Sequence, residues 1–308
     1  MRPIDSRLMM AKNRHAETGT IPTVPFFVRR GAPVGVEVMT LAELRSRVSP
    51  DRLRALPQRP DFHQLFRPAS GPLGHTVDFT DYELDPDAWL WVRPGQVQQW
   101  GDISRAEGVL ILFQPGFLDP ATAASAHLDD PHAPVVRHPG PEDAQLLDRA
   151  LDHLDREYHA PGSLALEHRT AVLRHLLAAL VLRLAHLPDA AGVAWPAPDE
   201  TYLRFRDAVE EGFARSRRGE DYAHLLGYST RTLSRATAAT DGLGAKEFID
   251  RRVVLEARRL LAHTDQSAAQ IAAHLGFATA THFTKYFHQR AGLTPTAFRA
   301  SVHGEAAG

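Results

Sequence analysis

The spacing of hydrophobic positions changes character along this 308-residue chain. Between residues 26 and 118 they come in short runs broken by Gly and Pro. "GHTVDFTDYEL" alternates His75, Val77 and Phe79 with polar residues. "AWLWVRPG" is aromatic and β-branched until Pro94-Gly95, and "GVLILFQPG" is an apolar run that stops at Pro115-Gly116. Alternation and short apolar runs bounded by turn residues predict strands, and several in succession predict a small barrel or sandwich. From Glu142 to Leu187 the period becomes helical. Leu166, Leu173, Leu177, Leu180, Leu184 and Leu187 are spaced by seven, four, three, four and three residues, which is a heptad seam. Such a seam serves either packing against the chain's own barrel or pairing with a second copy. Leu173, Leu177, Leu180 and Leu184 are the dimer-helix candidates, and so short a seam does not decide between the two.

Two Pro-rich stretches, "DDPHAPVVRHPGPED" (129–143) and "GVAWPAPDE" (192–200), read as linkers, because proline fixes φ and disfavours helix in the residue before it. They divide the chain into a β-rich region at 1–130, a helical segment at 131–191 and a helical C-terminal domain at 199–303. The expected fold is α+β.

The C-terminal region repeats itself. "YAHLLGYSTRTLSRATAATDGLGAKEFI" begins at Tyr222, and "IAAHLGFATATHFTKYFHQRAGLTPTAFR" begins at Ile271. Ala223 matches Ala272, Leu226-Gly227 matches Leu275-Gly276, Gly242-Leu243 matches Gly292-Leu293, and Phe248 matches Phe298. Each copy reads as helix, tight turn, helix. Gly227 and Gly276 stand where a helix ends with positive φ. Ser229 and Thr279 are N-caps for the second helix of each pair, and Thr294-Pro295 starts a further helix. In the first copy Leu233 faces inward, leaving Thr230, Arg231, Ser234 and Arg235 outward. In the second, Phe283, Phe287 and Tyr286 face inward, leaving Thr281, His282, Lys285 and Arg290 outward. Short hydroxyls, a histidine and long cations are the side chains that bond base edges and phosphates in a major groove. The candidate DNA-binding set is therefore Ser229, Thr230, Arg231, Ser234, Arg235, Thr279, Thr281, His282, Lys285 and Arg290, with Arg290 expected on phosphate.

Between the copies a helix is expected over 245–263. At 1.5 Å per residue it is ~28 Å long, close to the ~34 Å between successive major-groove segments on one face of DNA. It would hold two reading heads about one turn apart. Its buried stripe is Ile249, Val253, Ala257, Leu260 and Leu261. Arg251, Arg252, Arg258 and Arg259 lie largely off that stripe, facing phosphate or acidic neighbours.

Net charge is −2, which alone argues against a polyanionic partner, but the distribution is uneven. Residues 199–303 hold 15 Lys and Arg against 12 Asp and Glu, whereas residues 1–198 hold 20 against 24. The sign favours the C-terminal part for nucleic acid. The chain has no cysteine, which removes disulfides, thiolate metal sites and cysteine nucleophiles. No secretory-signal pattern and no run of eighteen apolar residues is present, so the expected setting is the cytoplasm, without a membrane partner.

The C-terminal hundred residues closely resemble the DNA-binding domain of AraC/XylS-family transcription regulators. The likeness rests on Ile271-Ala272, Leu275-Gly276-Phe277, Phe283, Phe287, Gly292, Pro295, Phe298 and Arg299, and on "RRVVLEARRLLAHT" as the linking helix. It implies two helix-turn-helix units with recognition helices at 230–240 and 280–291 lying in adjacent major grooves of double-stranded DNA. One departure is Thr237, where the family usually carries a large apolar residue; it implies looser anchoring of the first recognition helix. "HQLFRPASGPLGHTVDF" and "WLWVRPGQVQQW" are similar to the cupin-like β-barrel effector domain of many members. That similarity implies a small-molecule effector or partner protein acting through residues 1–130; for such a regulator a homodimer and RNA polymerase are further expected partners.

His63, His75, Trp89, Trp91 and Trp100 are the effector-pocket candidates. His75 reads as structural, with ligand contact as the alternative, and the tryptophans as core or pocket lining. A metal site is not expected. Gln98 stands where metal-binding cupins often place His, and too few ligands remain for the three donors a catalytic site needs. No other cofactor is expected. Two functions compete: a DNA-binding regulator, and a cupin-type enzyme with a helical appendage. A third, an alkyl-transfer repair protein, needs a reactive cysteine and is excluded.

Overall fold

The computed structural model describes residues 21–27, 33–70, 73–128, 130, 133–160, 163–187 and 199–303. Two units follow from its contacts, one within Pro22–Ala194 and one within Trp195–Gly308. The first contains β1 (Thr23–Val24), β2 (Val36–Thr40), α1 (Leu41–Arg47), α2 (Pro50–Ala55), β3 (Arg59–Pro60), β4 (His63–Ser70), β5 (Leu73–Val77) and β6 (Thr80–Leu84). It continues with β7 (Trp89–Val92), β8 (Gln98–Trp100), β9 (Glu107–Phe113), α3 (Pro120–Ser125), β10 (Val136–Arg137), α4 (Pro141–His159) and α5 (Leu166–Ala185). The second contains α6 (Glu200–Gly212), α7 (Gly219–Leu226), α8 (Thr230–Asp241), α9 (Ala245–His263), α10 (Ala268–His274), α11 (Ala280–Ala291) and α12 (Pro295–His303). The class is α+β.

The strands of the first unit do not close into a single barrel. Among the described residues they form a five-stranded sheet ordered β10-β7-β4-β9-β2, a three-stranded sheet ordered β6-β5-β8, and a β1-β3 pair. The five-stranded sheet is covered on both faces, which is why "WLWV" lacks a polar alternate and all four residues are buried. Val36, Val38, Leu65, Trp89, Trp91, Ile111 and Phe113 pack with leucines of α4 and α5. Met39, Phe66, Leu90, Val92 and Leu110 pack with Leu73, Val77, Leu84 and Trp100 of the smaller sheet.

Two expectations change. "GHTVDFTDYEL" is not one strand but a hairpin, β5 and β6, turning at Asp78 and Phe79 with φ of 46° and 67°. A two-residue hairpin turn matches the strand twist when both residues have positive φ. The Asp78 carboxylate accepts from Val97 N and Gln96 Nε2 and braces that turn. The first Pro-rich stretch is also more than a linker, because Val136 and Arg137 pair with Leu90 and Trp89 at the edge of the large sheet. Most of the second, residues 192–198, lies outside the described residues.

The leucine seam is used inside the unit. Leu173, Leu177, Leu180 and Leu184 are at most 1% exposed and share one core with Leu65, Trp91 and Phe113. This arrangement matches the first of the two readings, packing against the chain's own sheet. The seam also starts later than its spacing suggests, since Leu166 is exposed. The helical segment 131–191 thus shares its core with the sheet.

In the second unit, Tyr202 and Phe205 of α6, Tyr222 of α7, Leu233 of α8, Phe248 and Ile249 of α9, and Phe283 and Phe287 of α11 are buried. α9 runs through the middle, with Val253, Ala257 and Leu261 buried along it.

Candidate functional site

The helix ends set the two reading heads. Ser229 Oγ accepts from Thr232 N and Thr279 Oγ1 from His282 N, each satisfying one of the N–H groups left open at a helix start. α8 ends at Gly242 (φ 71°) and α11 at Gly292 (φ 77°), both left-handed. The turns before them hold Gly227 (φ 72°) and Gly276 (φ 70°). Ser267 and Gln270 close a capping box at the start of α10.

The inward positions are as expected: Leu233, Phe283, Tyr286 and Phe287 are buried. Ser229, Thr230, Arg231, Arg235, Thr279, Thr281, His282, Lys285 and Arg290 are exposed, while Ser234 is half-buried. Ser234 Oγ also accepts from Ala245 N at 3.4 Å, tying α8 to the start of α9. Arg235 and Lys285 stand six residues after their caps, so the two helices offer a long cation at the same place. Thr237 is fully buried; its hydroxyl donates to Leu233 O (3.1 Å) and Ser234 O (3.2 Å), so no polar group is stranded there.

Arg290, expected on phosphate, is bonded within the unit. Its Nη2 lies 2.5 Å from Asp250 Oδ2 on α9, and its guanidinium sits 3.9 Å from the Tyr286 ring centroid. Tyr286 donates its hydroxyl to the other oxygen of Asp250 at 2.7 Å, and Lys246 bonds that same oxygen. Burial resists ionisation of Asp250, but the bonds from Lys246, Tyr286 and Arg290 outweigh it and hold the carboxyl below its usual range. Burial first, and the Asp250 bond second, push the Tyr286 hydroxyl well above its ordinary value.

Acidic neighbours also meet the arginines of α9. Arg251 Nη2 lies 3.2 Å from Asp241 Oδ2 at the end of α8, and Arg252 pairs with Glu210 (2.8 Å) and Glu256 (3.0 Å). Arg258 stands over Phe298. Polar ties from both recognition helices thus include ones to consecutive residues, Asp250 and Arg251, in the first half of α9.

Arg217, ahead of α7, was not anticipated. It donates to Leu275 O (2.6 Å) and Gly276 O (3.1 Å) and stacks 3.9 Å from the Phe277 ring centroid. It binds the carbonyls that the end of α10 leaves open. Nothing local in the sequence marks a contact across 58 residues.

The effector-pocket candidates do not converge. His63, Trp89 and Trp91 lie on the face of the large sheet beneath α4 and α5; His63 stacks on Phe113 at 4.6 Å and accepts from Trp91 Nε1 at 3.5 Å. His75 and Trp100 lie between the sheets, where His75 Nε2 is 3.1 Å from Gln98 Oε1, and the Gln98 and Gln64 side-chain amides each donate a hydrogen bond to the other. Gln98 thus completes a buried polar trio. Burial, then the nearby Arg93 charge, lowers the His63 pKa to about 3; burial lowers that of His75 to about 4 against the opposing Gln98 bond. Both rings are neutral near pH 7, and, one in the large sheet and the other in the small sheet on its far side, they cannot share an ion. Among the described residues no group of three His, Asp or Glu is placed to hold a metal.

Residues 222–301 match the family described as "Helix-turn-helix domain". The regulatory protein PocR of Salmonella typhimurium is 35% identical over 84 residues, covering 27% of this chain and 28% of PocR. The HTH-type transcriptional activator RhaS of Salmonella schwarzengrund is 30% identical over 154 residues, 50% of this chain and 51% of RhaS. The chain thus spans about half the length of RhaS and less of PocR. Among solved structures, the DNA-binding domain of AdpA in complex with a target DNA is 25% identical, with a TM-score of 0.32 over 35% of this chain and 96% of that one. ToxT from Vibrio cholerae is 10% identical, with a TM-score of 0.41 over 86% of this chain and 98% of that one. The C-terminal unit is a helix-turn-helix domain of the AraC type, shared with transcription regulators.

Proposed function

We propose that the protein is a sequence-specific DNA-binding transcription regulator whose two helix-turn-helix units read adjacent major-groove segments of one duplex. The doubling carries this reading. Two copies of one cap–helix–glycine framework each leave a hydroxyl-rich, cation-bearing face exposed, with Arg235 and Lys285 at matching positions. Arg231, Arg235 and Lys285 reach base edges or phosphates; Ser229, Thr230, Ser234, Thr279, Thr281 and His282 supply short contacts near the helix starts. A small molecule or partner protein acting on the N-terminal unit is the input, and RNA polymerase is the downstream partner. The setting is the cytoplasm; no described helix is long and apolar enough to cross a membrane. A homodimer would form through a surface other than the α5 leucines, which are enclosed. The separation of His63 from His75 across the large sheet weighs against the cupin-type enzyme.

The test is selection of duplexes from a random pool by the full chain, followed by titration of variants on the recovered sequence at fixed salt. Arg231→Ala and Lys285→Ala are each expected to weaken binding by about 1–3 kcal/mol. Wild-type affinity in both variants refutes the assignment.

A further inference from the structure

Asp250 is a carboxylate 7% exposed, surrounded by groups from two helices. Its Oδ1 receives Tyr286 Oη (2.7 Å) and Lys246 Nζ, and its Oδ2 receives Arg290 Nη2 (2.5 Å). Tyr286 and Arg290 are four residues apart on α11, so they lie on one face of the recognition helix and meet one acceptor together. Their aromatic–cation stacking holds the pair in that arrangement. The next residue of α9, Arg251, holds Asp241 at the end of α8, and Tyr202 Oη donates to the same Asp241 oxygen at 3.1 Å. Neighbouring residues of a helix point ~100° apart and rise ~1.5 Å. One turn of α9 therefore carries polar anchors for both recognition helices.

We propose that Asp250 is a positioning residue that fixes the rotation and spacing of α11 relative to α8, and through them sets which spacing of base contacts the protein accepts. The inference rests on the DNA-binding reading above. Arg290 and Lys246 then act as partners of a carboxylate rather than as phosphate contacts. Two cations face one carboxylate, so the cluster carries one uncompensated positive charge. Converting Asp250 to a neutral amide raises that to two and frees both cations. Such a variant keeps its attraction to any duplex while losing the alignment that distinguishes one duplex from another.

The experiment uses the full chain, a duplex recovered by wild-type selection, and a random-sequence duplex of equal length. Asp250→Asn is expected to lower affinity for the recovered duplex roughly ten- to a hundred-fold, the scale of a lost charge-assisted bond. Its affinity for the random duplex should stay level or rise. Inserting one base pair between the two contacted segments should weaken the wild type sharply and Asp250→Asn little. Asp250→Glu, which keeps the charge, should recover part of the discrimination. Equal loss on both duplexes marks a merely structural role and overturns the inference, as does no loss on either. If Asp250→Asn fails to fold, Tyr286→Phe, which deletes a single hydroxyl, must give the same split in smaller measure; its absence overturns the inference. Failure of the wild type to select any sequence is a different result, and it removes the DNA-binding reading itself.

Discussion

The two helix-turn-helix units share a backbone plan and differ in what fills it. In the second, Phe283, Tyr286 and Phe287 anchor the recognition helix, and Phe277 and Phe298 pack against them at ring separations of 4.9–5.7 Å. In the first, the same positions after the cap are Leu233, Ala236 and Thr237. The turn glycines adopt the same φ, yet a Cβ on Gly227 would meet nothing within 4 Å, whereas one on Gly276 would lie 2.1 Å from Ala214 O. The second recognition helix brings its own large rings to the core and follows a tight turn seated under Arg217; the first brings only Leu233, Ala236 and Thr237, and the rings of that core come from Tyr202, Phe205, Tyr222 and Phe248. Backbone caps thus suffice to repeat a motif, and the side-chain volume each recognition helix contributes to its core differs between the copies.

The largest expected effect that sharpens this contrast is Phe287→Ala, which should cost about 3–5 kcal/mol in denaturant unfolding of the C-terminal unit. Thr237→Ala, at the equivalent place, should cost far less, and comparable losses in the two variants would break the comparison. Next is the glycine pair. Gly227→Ala should cost about 1–2 kcal/mol, the penalty of a left-handed alanine. Gly276→Ala should cost clearly more because its Cβ also strikes the Ala214 carbonyl; equal shifts in unfolding midpoint would refute that reading. A similar magnitude attaches to Thr237→Phe, which transplants the ring of the second unit into a fully buried site of the first. Overpacking there should destabilise by about 1–3 kcal/mol, measurable as a lowered thermal midpoint. The smallest effect concerns charge. Lys285→Gln should reduce the slope of log affinity against log salt on random duplex by about 0.9 if the side chain meets phosphate. Arg290→Gln, whose parent side chain is held by Asp250, should leave that slope nearly unchanged, and an equal reduction in both would return Arg290 to the phosphate-contact set.

Much of the C-terminal unit was legible because its signals are local. Ser229, Thr279, Gly242 and Gly292 act within a turn of their own position, and the matched spacing of Gly227 and Gly276 exposes the repeat. The N-terminal unit was less legible. "GHTVDFTDYEL" carries strand-like alternation through Asp78 and Phe79, residues that do not advertise positive φ, so the hairpin turn was hidden. The leucine seam of α5 has the same spacing whether it meets its own sheet or another molecule.

The sequence by itself determined where helices start and stop, that one helical motif occurs twice, and, Ser234 apart, which candidate residues of each copy face outward. These depend on bonds spanning three or four residues and on side-chain period. Only the tertiary structure decided that Arg290 pairs with Asp250, that Arg217 braces a turn 58 residues away, and that His63 and His75 belong to different sheets on opposite sides of the larger one. Those outcomes depend on which elements the packed chain brings together, and a carboxylate or a guanidinium has the same sequence signature whichever distant partner it finds.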